Sequence, residues 1–258
     1  MSPNFDHLYY FNNPHNVLRN MMPSMEKACT LTETSEVNLD HTYFVVGPWK
    51  YNEERQAVFN SHYLHVDNGY FFKTKAASMF RLTYRGLQES KIFDCDNKRL
   101  DTCNFKIKKW NNNGDYILIV APDSWPPRYY DGLKTDIEWI VNVKHELRKF
   151  TDRKIFYRLK ESRKDRGDDK LDRYLDNAWA VVTSQSLASI ESICSGVPVF
   201  NLAPSCCDNV ALQDLSKIEH PYRPDNRQEW LASLSYGQFS RDEISSGFAR
   251  EILKDRYL

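Results

Sequence analysis

The chain of 258 residues carries 35 basic and 35 acidic side chains, a formal net charge of zero, and 41% hydrophobic and 14% aromatic residues. That length suits one large domain or two small ones, and that apolar content excludes wholesale disorder. The charge balance excludes a globally steered polyanion binder, while leaving room for a local basic face. No apolar run of about 18 residues and no charged-then-apolar start is present, which predicts no membrane span, no signal peptide and a cytoplasmic protein. Six cysteines (29, 95, 103, 194, 206 and 207) form no C-x-x-C pair, as expected of reduced thiols.

Residues 1–40 are polar, with only a weak helical pattern over 17–28. Residues 41–47, HTYFVVG, read as a strand ended by Gly47-Pro48, and 53–61 as a short helix. Residues 63–72, YLHVDNGYFF, read as a second strand region interrupted by Asp67-Asn68-Gly69, and 79–84 as a third strand. Asn111-Asn112-Asn113-Gly114 is the strongest linker signal, dividing the chain into halves of 1–113 and 114–258. Beyond it, 116–121 (YILIVA) is a buried strand and 122–127 a loop. An amphipathic helix follows over 135–150, with Ile137, Ile140, Val141, Val143 and Leu147 marking its inner side. A strand at 154–159, a short helix at 171–177 and helices at 228–236 and 241–253 complete the second half. Alternation of strand and helix predicts an α/β fold, with a parallel doubly wound sheet in the C-terminal half.

Residues 179–202, WAVVTSQSLASIESICSGVPVFNL, organise that half. A β-branched strand leads into Thr183-Ser184-Gln185-Ser186, residue types that cap helices. Leu187, Ile190, Ile193 and Cys194 then recur at helical spacing until Gly196 and Pro198 stop the helix, and a buried strand follows. This order places Ser184 to Ser186 at the carboxyl edge of a parallel sheet, where open N–H groups suit a phosphate. Ordinary helix capping uses the same residues.

Other side chains extend the site. Arg158 and Lys160 share one face of the preceding strand near its carboxyl end, a position that suits neutralising a diphosphate. They sit in the tract 148–167, where nine Lys or Arg against three acids give +6, either a solvated surface or a contact for a polyanion such as DNA. Alternation puts His65 and Asp67 on one side of their strand, where Asp67 either accepts a proton from a hydroxyl or simply starts a turn. Arg81 and Arg85 in FRLTYRG either face an anionic acceptor or form ion pairs. No metal is assigned: His62-x-x-His65-x-Asp67 lacks a further ligand, and Asp94-Cys95-Asp96 follows no nucleotide-binding strand pattern.

The segment 183–200, T-S-Q-S-L-A-S-I-E-S-I-C-S-G-V-P-V-F, resembles the donor-site signature of GT-B glycosyltransferases. The resemblance implies that Glu191 holds the ribose of a nucleotide sugar and that Thr183, Ser184, Gln185, Ser186 and Ser189 surround its phosphates. Thr183 stands where several such families carry a histidine. HVDNGYF, FRLTYRGLQ, YILIVAP, the 176–200 core, DLSKIEHP and NRQEWLASLSYGQFS are similar to a group of phage-encoded glycosyltransferase-like proteins, over roughly residues 41–250. The resemblance implies two Rossmann-like halves in a compact GT-B-like arrangement, with a ligand cleft between them. It further implies a metal-independent transferase that takes a nucleotide sugar, such as a UDP-sugar, as cosubstrate and needs no other cofactor. Asp67 is then the base, with His65, Arg81 and Arg85 on the acceptor side. The acceptor it implies is a hydroxyl: for a phage protein in its host's cytoplasm a hydroxymethylated base flipped out of DNA, or failing that a surface glycan. Two alternatives of another class are a nucleotide-sugar-binding protein without turnover and a DNA-binding module acting through 148–167.

Overall fold

The computed structural model describes residues 2–12, 16–46, 57–71, 79–103, 106–122, 132–133, 135–159 and 170–258. In chain order the first elements are β1 (His7–Tyr10), α1 (Asn16–Ala28), β2 (Thr30–Glu33), β3 (Thr42–Val46), a 3-10 turn (Ala57–Asn60), β4 (His62–Asn68), β5 (Phe80–Tyr84) and α2 (Lys98–Thr102). There follow β6 (Tyr116–Val120), α3 (Asp136–Leu147), β7 (Lys154–Arg158), α4 (Asp172–Leu175), β8 (Ala178–Thr183), α5 (Ala188–Cys194) and β9 (Val199–Asn201). A second 3-10 turn (Leu215–Lys217), α6 (Arg227–Ser235), β10 (Gln238–Phe239), α7 (Arg241–Ser245) and α8 (Phe248–Tyr257) complete the chain. Two compact units result: one of Met1–Glu89, Phe93–Cys103 and Ala232–Leu258, the other of Ser90–Ile92 and Asn104–Leu231.

Both units are α/β, and their sheets share a plan. The second unit's sheet runs β7-β6-β8-β9, all parallel. The first unit's sheet contains β2-β1-β3-β4, also all parallel, extended by antiparallel β5 and β10. Numbered within each unit, the parallel strands stand in the order 2-1-3-4, a doubly wound arrangement whose winding reverses between strands 1 and 3.

In the second unit the reason is legible in composition. Ile117, Leu118 and Ile119 of β6 are wholly buried, as a continuous apolar run in a parallel sheet must be. Ile117, Ile119, Ala180, Val182 and Phe200 face Trp139, Ile140, Val143 and Leu147 of α3. The inner side of α3 therefore differs from the predicted one. Ile137 and Val141 are 48% and 59% exposed, because Trp139 rotates the apolar stripe away from them. Residues 106–111 are bound along α5: Lys108 N–H donates to Cys194 O (2.8 Å) and Asn111 N–H to Gly196 O (2.7 Å). Gly196, at φ 85°, is required there twice over, since a Cβ would lie 2.1 Å from Lys109 O.

The first unit departs further from expectation. Residues 1–40 hold two parallel strands around α1, paired from His7↔Thr30 to Tyr10↔Glu33. Their sequences, HLYY and TLTE, contribute one fully buried side chain, Leu8, so no apolar run advertises them. The helix expected over 241–253 is two helices broken at Gly247 (φ 84°), the first opened by a Ser240/Glu243 capping box. Of the helix expected over 53–61, residues 57–60 are a 3-10 turn. Gly47-Pro48, 53–56 and most of the 122–127 loop lie outside the described residues. Arg99 of α2 gathers the C-terminal segment: it donates to Ser235 O (3.0 Å) and Gln238 O (2.7 Å), pairs with Glu243, and lies over the Tyr236 and Phe248 rings. All six cysteines are unbridged, and burial pushes the Cys194 thiol up to about 12. Among the described residues no helix is long and apolar enough to cross a membrane.

Candidate functional site

In a 2-1-3-4 sheet, ligands bind where the carboxyl ends of strands 1 and 3 part, at the reversal of winding. In the second unit these are the ends of β6 and β8. They are tied by Thr183, whose buried Oγ1 donates to Val120 O at 2.8 Å. Ser184 comes next, wholly buried, and its Oγ has no hydrogen-bond partner among the described residues. Gln185 then takes a left-handed backbone (φ 51°), donating its N–H to Asn201 Oδ1 (2.7 Å) and its side-chain NH2 to Pro204 O (2.8 Å). The carbonyl of Ser186 accepts from both the N–H (3.1 Å) and the Oγ (2.6 Å) of Ser189.

This loop corrects one expectation. None of the polar residues 183–186 is the cap of α5; the cap position is Leu187, without a side-chain cap bond. Thr183 and Gln185 are drawn into the sheet and the neighbouring loop. The Ser186 hydroxyl makes a longer contact, accepting from Ala188 N–H at 3.3 Å. The side chains expected to finish the helix instead shape the turn before it.

Glu191 lies one turn into α5, half-buried. Burial, then the charge of Asp172 and a hydrogen bond with it, push the Glu191 carboxyl up to about 7, with Arg158 opposing. A half-buried carboxyl set beside a second acid is costly to ionise, and such perturbed carboxyls cluster at functional sites. Arg158 ends β7 in register with Val120, its guanidinium 6.0 Å from the Tyr174 ring centroid. The structure therefore brings Arg158 and Glu191 together. It adds Asp172, which sequence reasoning missed: it stands 19 residues before Glu191 among other acids, and no local spacing links the two. Lys160 lies outside the described residues, as does 160–167 of the basic tract. Within the described part, Arg153 pairs with Glu219 (3.0 Å) and lies over Trp179 (3.9 Å), and Lys149 pairs with Glu146.

In the first unit, Asp67 and Arg81 face each other across β4 and β5. Asp67 Oδ2 accepts from Arg81 at 2.7 Å and Oδ1 from Asn68 N–H at 2.7 Å. Arg81, its side chain 7% exposed, also donates to Leu87 O (3.2 Å) and Asn68 O (3.1 Å). His65 is buried opposite Thr83. Arg85 has φ 54° and hydrogen-bonds the Tyr84 hydroxyl, while His62 Nδ1 meets the same hydroxyl. Asp96 accepts from Tyr236 Oη (2.6 Å) and Lys98 N–H (3.0 Å) ahead of α2.

No family model matches the chain, and no curated protein matches it. Among solved structures it is similar to a Thermosulfurimonas dismutans KpsC β Kdo 2,7 transferase, at 10% identity over 95% of this chain and 99% of that one, with a TM-score of 0.48. A KpsC β Kdo 2,4 transferase of the same organism is similar at 11% identity over 88% and 90%, with a TM-score of 0.47. At these scores neither likeness fixes a chemistry for this chain.

Proposed function

We propose that the chain is a glycosyltransferase that binds a nucleotide sugar in its second unit, at the ends of β6 and β8. The observation that carries this reading is a convergence at one switch point. A wholly buried Ser184 hydroxyl without a hydrogen-bond partner among the described residues, a preshaped polar turn, and a Glu191 carboxyl set beside Arg158 all belong to that end of the sheet. Glu191 accepts from the ribose hydroxyls, while Ser184, Ser186, Ser189 and the turn's amides surround the phosphates. Arg158 and Lys160 meet the charge that develops on the departing diphosphate, the part a metal takes in other transferases. Asp67 takes the proton of the acceptor hydroxyl. A hydroxymethylated base in phage DNA is the acceptor that the sequence resemblance suggests, which places the reaction in the host cytoplasm.

Calorimetric titration with a uridine diphosphate sugar tests the donor site. Binding by the wild type that Glu191→Ala and Ser184→Ala weaken at least tenfold supports it; equal binding by all three proteins refutes it. A second reading, binding without turnover, draws on the ion pair that occupies Asp67. Release of free nucleoside diphosphate when the donor and hydroxymethylated DNA are supplied together decides for transfer, and binding with no release decides against it.

A further inference from the structure

The turn at the switch point is held from behind by two buried polar side chains, Asn201 and Ser205, and beyond them the exposed Asp208. Gln185, at φ 51°, occupies a region that a residue with a side chain keeps only when its surroundings hold it there. What holds it is Asn201, the last residue of β9, which is 1% exposed. Asn201 Oδ1 accepts the Gln185 N–H at 2.7 Å, and its Nδ2 donates to Ser205 Oγ at 2.9 Å. Ser205 in turn donates from Oγ (3.2 Å) and from its N–H (3.0 Å) to Asp208 Oδ1, and accepts the Cys207 N–H at 3.1 Å. Partial desolvation raises the carboxyl of the otherwise exposed Asp208, and the two donations from Ser205 oppose that rise.

The chemistry at position 201 is specific. The side chain must accept an amide proton on one edge and donate to a hydroxyl on the other, while fitting a fully buried site beside a strand end. Asparagine does both, whereas aspartate offers acceptors alone and an aliphatic residue neither. The oxygen and nitrogen of its carboxamide are fixed by these partners, since only an oxygen meets the Gln185 N–H.

Resting on the donor-site reading above, we propose that Asn201 is a positioning residue, whose carboxamide, aligned by Ser205 and Asp208, presets the backbone of Gln185 and so the phosphate-side turn before a donor arrives. A turn already in its bound form loses less freedom on binding, and such outer supports are worth a sizeable share of affinity. Asn201 touches no ligand in this role. It acts through the loop alone.

Two measurements on the full chain test this. In the ligand-free protein, amide hydrogen exchange across 184–188 should quicken about tenfold in Asn201→Ala, the loss of one buried hydrogen bond. Unchanged exchange there overturns the proposal. The second measurement is uridine diphosphate affinity in a cycle of Asn201→Ala, Gln185→Gly and the double variant. Glycine enters the left-handed region without strain, so the affinity lost on removing Asn201 should shrink severalfold when residue 185 is glycine. Equal losses in both backgrounds, as a general weakening of the fold would give, also overturn it. Should Asn201→Ala not fold, Ser205→Ala, which removes only the group aligning the carboxamide, takes its place, and the same two results support or overturn the proposal. If the wild type binds no uridine diphosphate, the donor reading fails, and the exchange comparison alone still decides what Asn201 does.

Discussion

Asp67 in the first unit and Glu191 in the second are the two carboxyls on which the functional reading turns, and their surroundings are opposite. Asp67 faces a buried cation and its neighbour's amide, so each oxygen has a donor within 2.7 Å. Glu191 faces Asp172, a like charge, with Arg158 only partly offsetting it. A carboxylate that the fold itself satisfies is explained by the fold. One set against another acid lowers stability, and a fold keeps such a pair where something outside the chain completes it. Asp67 therefore has a structural duty that its contacts show, and the proposed donor site gives Glu191 a binding duty.

The sharpest way to break that contrast is Asp67→Asn in a turnover assay. If Asp67 is the base as well as a structural anchor, the rate of nucleoside diphosphate release should fall on the order of 10²- to 10⁴-fold. An unchanged rate would confine it to the ion pair. Next in size is Arg81→Ala, which strips three donors from buried positions and leaves Asp67 without its cation. Urea unfolding should show a loss of about 3 kcal/mol, and a loss below about 1 kcal/mol would contradict the structural duty. Glu191→Ala should do the reverse, keeping or raising the unfolding midpoint while weakening uridine diphosphate binding at least tenfold. A large fall in stability would mean that the pair with Asp172 holds the fold together.

What the sequence disclosed, and what it hid, follows the same division. The second unit was legible because β6, β8 and β9 are apolar runs punctuated by Gly196 and Pro198, so strand, turn and helix each have a local cause. The first unit was not, because β1 and β2 owe their place to pairing across α1 and not to their own composition. Ser184 and Arg158 were singled out by their positions relative to a strand end, and Glu191 by the resemblance of its segment to a donor-site signature. Asp172 and Asn201 were not, since each acts on its partner across a gap in sequence that no periodicity spans: 19 residues to Glu191, 16 to Gln185. The misplaced helix cap shows the limit from the other side. Residue types that cap helices also build turns, and only the competition among Ser186, Ser189 and Asn201 decides between them.

The smallest expected effect probes the raised Glu191 carboxyl, which burial and Asp172 both push up. An unfolded glutamate loses its proton near 4.5, whereas Glu191 in the folded chain keeps its proton to about 7. Between those values the native state binds more protons than the unfolded one, so this group's contribution to stability falls as pH rises through that window. Arg158 and the partial exposure of the site both moderate the fall. Glu191→Gln has no proton to lose and keeps the shape of the side chain. Its melting temperature relative to wild type should therefore rise between pH 5 and pH 8, by about 2 °C. A relative midpoint that stays flat, or moves the other way, would mean that burial and Asp172 together do not hold the Glu191 proton in solution, and the contrast with Asp67 would lose its physical basis.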